Sequence, residues 1–104
     1  MKTSELTGHA LNWAVARCEG GVGDNQLIGA WYTPSTDWAQ GGSIIEREGF
    51  CIQPFKGGWE CFVAHRLFED DHHHSTGPTP LIAAMRCYVA SKLGAEIDIP
   101  KELT

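Results

Sequence analysis

The chain has 104 residues, of which 42% are hydrophobic and 20% are charged, and its formal net charge is −5. This length suits a single domain, residues 1–104, because a second domain would have too little chain to bury a core of its own. The acidic balance and the scattered lysines and arginines argue against a nucleic-acid partner and against docking on an anionic membrane, since both need a basic face.

No stretch approaches the ~20 apolar residues that span a bilayer, and the first five residues lack the apolar segment of a signal peptide. We therefore expect the protein to stay in the cytoplasm. In that reducing compartment Cys18, Cys51, Cys61 and Cys87 are expected to be buried thiols rather than disulfides. The pair that a predicted hairpin would place opposite each other is Cys51 and Cys61.

The first predicted elements are a helix and a short strand. Thr7 is a good N-cap, apolar residues recur at spacings of three and four up to Cys18, and Gly20–Gly21 end the helix. Leu27–Thr33 favours a short or edge strand that Pro34 ends.

A second helix is predicted after Pro34. Ser35 or Thr36 can cap it, with Asp37 in the first turn, where the helix dipole favours negative charge. Gly49 is the expected C-terminal stop. The pair Gly41–Gly42 inside the helix costs roughly 1 kcal/mol per glycine relative to alanine, so we expect something to approach the helix closely there.

A hairpin and a third helix complete the prediction. Phe50–Phe55 and Trp59–His65 favour strands joined at Lys56–Gly58. Arg66–Gly77 is polar and is predicted to be an irregular surface loop. The third helix starts with Thr79 as N-cap and Pro80 at its first position, ends at Gly94, and carries an apolar stripe. The stripe consists of Leu81, Ile82, Met85, Val89 and Leu93.

These elements define an α+β fold: a small antiparallel sheet, made of the hairpin plus a short strand, packed with three helices in the order α-β-α-β-β-α. The third helix is apolar around more than half of its circumference, which is more than packing on its own sheet requires. A homodimer would cover the excess apolar surface of this helix. Alternatively, Ile97 and Ile99 of the C-terminal tail cover it.

Three separated blocks of the sequence resemble a family of small phage proteins. Tyr32–Trp38, followed by Ile44–Glu46, resembles the middle motif of NinX-like proteins. Thr79–Arg86 resembles their C-terminal helix, and Ser4–Thr7 with Ala10–Ala16 resembles their first helix. The resemblance implies a phage α-β-α sandwich domain and a phage accessory protein without an established biochemical role. It supplies no catalytic residues.

The start of the second helix is the strongest candidate for a ligand site. A helix N-terminus with free amides and hydroxyls can accept an anion, two aromatic rings could stack on a ligand, and two glycines permit close approach. The alternative is that a hydroxyl only caps the helix, the tryptophan belongs to the core and the glycines admit a neighbouring element. The candidate residues are Tyr32, Ser35, Thr36, Asp37, Trp38, Gly41 and Gly42.

A weaker candidate is the histidine run in the polar loop. His72 and His74 could bind zinc or nickel together with His65, Asp70 or Asp71. A solvated loop explains the same residues, because a structural metal site needs spaced ligands on a braced scaffold. We therefore predict no metal and no cofactor.

Function is predicted mainly from the resemblance and from the lack of a catalytic constellation. The leading hypothesis is a non-enzymatic accessory protein in the host cytoplasm that binds a host or phage protein. The alternative is a small-ligand binder, for instance of a nucleotide, that uses the helix start near Ser35–Trp38. A metal-dependent hydrolase would need His72–His74 to hold an ion.

Overall fold

Three α-helices and a three-stranded antiparallel sheet make up the part of the chain described by the computed structural model, which covers residues 2–19, 32–63, 75–94 and 96–99. A short 3-10 helix, Thr3–Glu5, comes first. The elements that follow are α1 (Gly8–Cys18), α2 (Trp38–Glu48), β1 (Phe50–Phe55), β2 (Gly58–Val63), β3 (Ser75–Gly77) and α3 (Pro80–Leu93). None of the helices in these ranges is long and apolar enough to cross a membrane. The predicted α+β class is confirmed.

The hairpin forms as predicted, with Phe50 opposite Val63 and Phe55 opposite Gly58. Its two-residue turn has φ of 49° at Lys56 and 84° at Gly57. Positive φ at both central residues is the geometry that matches the twist of the two strands. Glycine adopts such angles freely, whereas Lys56 accepts some strain to do so.

The third strand comes from a segment whose composition predicted only a loop. Ser75–Gly77 pairs antiparallel with β2 and gives the sheet order β1-β2-β3. The prediction of an irregular loop up to Gly77 is therefore wrong at its end, because pairing with β2 decides the conformation of three polar residues. The strand predicted over 27–33 lies mainly outside the described residues, and Tyr32 and Thr33 are not in a strand.

Helix α3 lies at the centre of the described structure. It contacts all three strands on one side and α1, α2 and the 3-10 helix on others. Its start is the predicted one, because the Thr79 hydroxyl accepts a hydrogen bond from the amide of Ile82 at 3.1 Å. The buried residues, which surround most of the helix, are Leu81, Ala83, Ala84, Met85, Cys87, Tyr88 and Val89.

The large apolar surface of α3 is thus used within the chain. Ile97 and Ile99 of the C-terminal tail pack against the same core. This agrees with the alternative in which the tail covers part of α3 without a second subunit. Leu93 departs from the predicted stripe, because it lies at the helix end and is 37% exposed. The homodimer stays a prediction that light scattering at micromolar concentration can test.

The cysteines are free thiols, but the predicted facing of Cys51 and Cys61 is wrong. The register places Cys51 opposite Phe62, and Ile52 opposite Cys61. Because successive residues of a strand point to opposite faces, the two thiols lie on opposite sides of the sheet. Cys61 is fully buried, and its hydrogen bond with Cys87 of α3, together with burial, raises the pKa of Cys61 above its usual range.

Candidate functional site

The segment that leads into α2 is a turn rather than a free helix start. The amides of Thr36 and Asp37 both donate to the carbonyl of Thr33, at 3.1 and 2.9 Å. This turn leaves Asp37 as the last residue with an extended backbone before the helix. Its Oδ1 accepts a hydrogen bond from the amide of Ala39 at 2.8 Å. Asp37 is therefore the N-cap, and the prediction that Ser35 or Thr36 caps α2 is wrong.

Ser35 is buried and its polar groups are already paired. It is 2% exposed. Its amide donates to Asn12 Oδ1 at 3.1 Å and its hydroxyl donates to the same oxygen at 2.7 Å. Because Asn12 lies on α1, these bonds fasten the turn to that helix, and Ser35 is directed inward.

The two glycines of α2 have different surroundings. A Cβ atom on Gly41 would lie 2.3 Å from the carbonyl oxygen of Pro34 and 2.7 Å from Leu81 Cδ2. Gly41 therefore allows α2 to approach both the turn and α3. A Cβ atom on Gly42 would meet only the Trp38 ring, at the ordinary contact distance of 3.7 Å.

Trp38 lies at the surface, against the interpretation that placed it in the core. It is 58% exposed, and its ring lies along the helix beside Gly42. Thr36 is exposed as well, whereas Tyr32 is half-buried against the core, where burial raises its pKa. Of the seven candidate residues, Thr36 and Trp38 are exposed, and Gly42 is half-buried beside the Trp38 ring. We call Thr36, Trp38 and Gly42 the Trp38 surface.

A second cluster of polar side chains was not predicted. Arg47 of α2 donates two hydrogen bonds to the carboxylate of Glu19, at 2.9 and 2.7 Å. The Tyr88 hydroxyl on α3 donates to the same carboxylate and accepts from Arg47 Nη2 at 3.0 Å. Arg47 Nε also donates to Glu48 at 3.0 Å. The cluster ties the ends of α1 and α2 to the buried helix α3.

The charges of this cluster stabilise one another. The hydrogen bond from Arg47 is the main cause that lowers the pKa of Glu19. Burial, followed by the hydrogen bond to Glu19, raises the pKa of Tyr88 above its usual range, so its hydroxyl stays protonated and donates. Burial raises the pKa of nearby Cys18 to about 11, which removes the thiolate that nucleophilic chemistry would need. The arrangement is that of a structural clamp.

Sequence reasoning missed this clamp because its members are far apart in the chain. Glu19 and Arg47 are separated by 28 positions, and Glu19 and Tyr88 by 69. No local spacing rule covers such separations. The one available signal was Arg47 in the last turn of α2, where a basic residue also complements the helix dipole.

Within the described ranges, no group of three or more histidine, cysteine, aspartate or glutamate side chains is placed to hold a metal ion. The predicted metal candidates His72 and His74 lie outside these ranges, as do His65, Asp70 and Asp71.

Over the described residues, the chain is a small α+β protein in which buried Asn12 and Ser35 bind each other and the exposed Trp38 lies at the start of a helix. The chain belongs to the Bacteriophage P22 NinX family, whose family model matches residues 2–92. The match covers the first six described elements and all but the last residue of α3, so the resemblance seen in three sequence blocks is confirmed. No curated protein matches the sequence.

Proposed function

We propose that this phage protein is a non-enzymatic accessory protein that binds a host or phage protein, and that Trp38 is the centre of the contact. The observation that carries the proposal is the 58% exposure of Trp38. A tryptophan ring in water forgoes a large hydrophobic gain, and tryptophan is enriched among the few residues that dominate the affinity of protein interfaces.

The support beneath Trp38 is rigid, which favours a binding role. Asp37 caps the helix, Gly41 allows tight packing on Pro34, and Ser35 is fastened to α1. Backbone ordered in this way loses little conformational freedom when the segment binds, so more of the contact energy is available for affinity.

The nucleotide alternative uses the same segment and is less favoured. The Asp37 carboxylate already accepts the hydrogen bond of the Ala39 amide, which a phosphate at the helix start would otherwise accept. Its negative charge also repels a phosphate. Ser35 is directed into the protein. A nucleotide binder would gain about 2.7 kcal/mol of stability at a ligand concentration a hundred times the Kd. We expect thermal-shift measurements with nucleotides to show no such gain.

The proposal is tested by capturing the tagged protein from lysate of phage-infected cells and then measuring the affinity of the purified pair by calorimetry. We expect Trp38→Ala to weaken binding roughly 30-fold or more, because truncating a central interface tryptophan costs about 2 kcal/mol or more. Leu93→Ala is the matched control, since it truncates an exposed apolar side chain on another helix.

Two results would contradict the proposal. One is the absence of any stoichiometric partner across several growth states. The other is a partner whose affinity is the same for the wild type and Trp38→Ala. Circular dichroism should show both variants folded, because Trp38 and Leu93 are exposed and contribute little to the core.

A further inference from the structure

Two thiols meet in the core where the sheet packs on the central helix. Cys61 of β2 and Cys87 of α3 are both fully buried, and their side chains share a hydrogen bond. Helix α3 contacts all three strands, so the two thiols approach each other from different layers of the fold. The pair is separate from the Trp38 surface and from the clamp around Glu19.

The register of the hairpin decides which cysteine of the sheet meets α3. Cys61 lies opposite Ile52. Cys51 directly precedes Ile52, and successive residues of a strand point to opposite faces of the sheet. The Cys51 thiol therefore lies on the other side of the sheet from Cys61 and Cys87. The fold thus brings together two cysteines that are far apart in sequence and separates two that are near.

Thiols in this arrangement need little movement to form a disulfide. The bond requires side chains that point toward each other and sulfur atoms about 2.05 Å apart. Thiols that share a hydrogen bond already meet the first condition, and small rotations of the two side chains bring the sulfur atoms closer. A bond between Cys61 and Cys87 would join β2 directly to the helix on which the sheet packs.

The reduced pair is protected while the protein stays closed. The hydrogen bond with Cys87, together with burial, raises the pKa of Cys61 above its usual range, so little thiolate forms. The thiolate is the form of cysteine that acts as a nucleophile. Oxidation therefore depends on local opening between β2 and α3, which exposes a thiol for a short time.

We propose that Cys61 and Cys87 are an oxidation site, at which a hydroperoxide converts the two buried thiols into a disulfide that locks β2 to α3. The proposal goes beyond the binding role of Trp38, because it involves neither that residue nor a partner protein. Its failure would leave the binding proposal untouched.

The reaction has two steps. When the contact opens, one thiol gives up its proton and its sulfur attacks the hydroperoxide: an S–O bond forms, the O–O bond breaks, and water or an alcohol leaves with the proton. When the contact closes, the second sulfur attacks the sulfenic acid: the S–S bond forms, the S–O bond breaks, and the hydroxyl leaves as water with the second proton. The two thiols are oxidised and the hydroperoxide is reduced.

The test oxidises the native, fully reduced protein with hydrogen peroxide, blocks the remaining thiols with iodoacetamide and maps the peptides by mass spectrometry. We expect one intramolecular disulfide, between Cys61 and Cys87, which dithiothreitol reverses. Urea below the unfolding transition should speed its formation, because the open state becomes more populated. The oxidised protein should unfold at a higher urea concentration than the reduced protein, because the bond restricts the unfolded chain.

Two controls show whether the fold selects the pair. In an unfolded chain shorter loops close more readily, so oxidation in concentrated urea should favour the bond between Cys51 and Cys61. A variant with Cys18→Ser and Cys51→Ser keeps only the two fully buried thiols and replaces the two partly exposed ones. It should form the same Cys61–Cys87 bond as the wild type under native conditions.

Three results would overturn the proposal. One is that Cys61 and Cys87 stay reduced, in buffer and in urea below the transition alike, while Cys51 is oxidised. Another is the same mixture of disulfides in buffer and in concentrated urea, which would mean that the fold does not select the pair. The third is a Cys61–Cys87 bond that lowers the midpoint of urea unfolding, which would mean that the folded core cannot hold the bond without strain.

Discussion

Asn12 on α1 accepts both hydrogen bonds that buried Ser35 can donate, one from its amide at 3.1 Å and one from its hydroxyl at 2.7 Å. Asn12 itself is 4% exposed. A single side-chain oxygen therefore satisfies two donors that would otherwise be buried without a partner. This contact fixes the turn before α2, and through it the position of Trp38.

We predict that Asn12→Ala destabilises the protein by about 2–4 kcal/mol, because it leaves an amide and a hydroxyl buried without an acceptor. Ser35→Ala should cost less, about 1 kcal/mol, because it removes one donor and leaves the other paired. Urea unfolding measures both. Equal and small losses would mean that water replaces Asn12 and that the contact does not hold the turn.

A second prediction concerns acid stability and Glu19. Arg47 lowers the pKa of Glu19 in the folded state below the ordinary value of 4.5 for a glutamate. A carboxylate whose pKa is lowered on folding stabilises the protein above its unfolded pKa, and the gain is lost as the pH falls through the folded value. Glu19→Gln should therefore destabilise the protein at pH 7 by about 0.5–1 kcal/mol, a modest value because the pair is partly exposed. The difference in stability from wild type should shrink as the pH falls below 4.5, the ordinary pKa of a glutamate.

Urea unfolding of wild type and Glu19→Gln across this pH range provides the measurement. Glu46→Gln is a suitable control, because it removes an exposed carboxylate from the same helix as Arg47. A difference between wild type and Glu19→Gln that stays constant, or grows as the pH falls, would show that the charge of Glu19 contributes nothing.

The parts of the fold that the sequence predicted are those with a local cause. Thr79 followed by Pro80 predicts the start of α3 because capping and ring geometry act within one turn. The turn at Lys56 and Gly57 is likewise set by backbone preferences of two residues. β3 was missed because its conformation depends on pairing with a strand that starts 17 positions earlier, and its own composition is polar.

In the candidate site, too, the sequence predicted features with a local cause and missed those that depend on residues far away in the chain. The need for close approach at the glycine pair was predicted, but only the structure shows that it applies to Gly41 and not to Gly42. The choice of Asp37 as N-cap over Ser35 depends on the contact of Ser35 with Asn12, 23 positions away. The exposure of Trp38 likewise depends on which face of α2 packs inward, which composition alone does not determine.

A third prediction concerns thiol reactivity. Cys61 and Cys87 are fully buried, whereas Cys51 is partly accessible on the other face of the sheet. In native protein we expect iodoacetamide to modify Cys51 before Cys61 and Cys87, which should react only as fast as the protein opens. Mass spectrometry of peptides follows each site. Rapid labelling of Cys87 would contradict its burial on α3, and a disulfide between Cys51 and Cys61 would contradict the register of the hairpin.

The last prediction uses the two adjacent glycines of α2 as a matched pair. Alanine has the higher helix propensity, so replacing a helical glycine gains about 1 kcal/mol if nothing opposes the new methyl group. At Gly42 nothing does, since the nearest atom is the Trp38 ring at 3.7 Å. We therefore expect Gly42→Ala to stabilise the protein by about 0.5–1 kcal/mol.

At Gly41 the same substitution meets backbone. The new methyl group would lie 2.3 Å from the carbonyl oxygen of Pro34, so the turn or the helix must move. Forcing extra volume into a packed site costs about 1–3 kcal/mol, which outweighs the gain in propensity. Gly41→Ala should thus lower the midpoint of urea unfolding while Gly42→Ala raises it. If both raise it, α2 does not pack on Pro34 as described, and the rigid support proposed for Trp38 is lost with that contact.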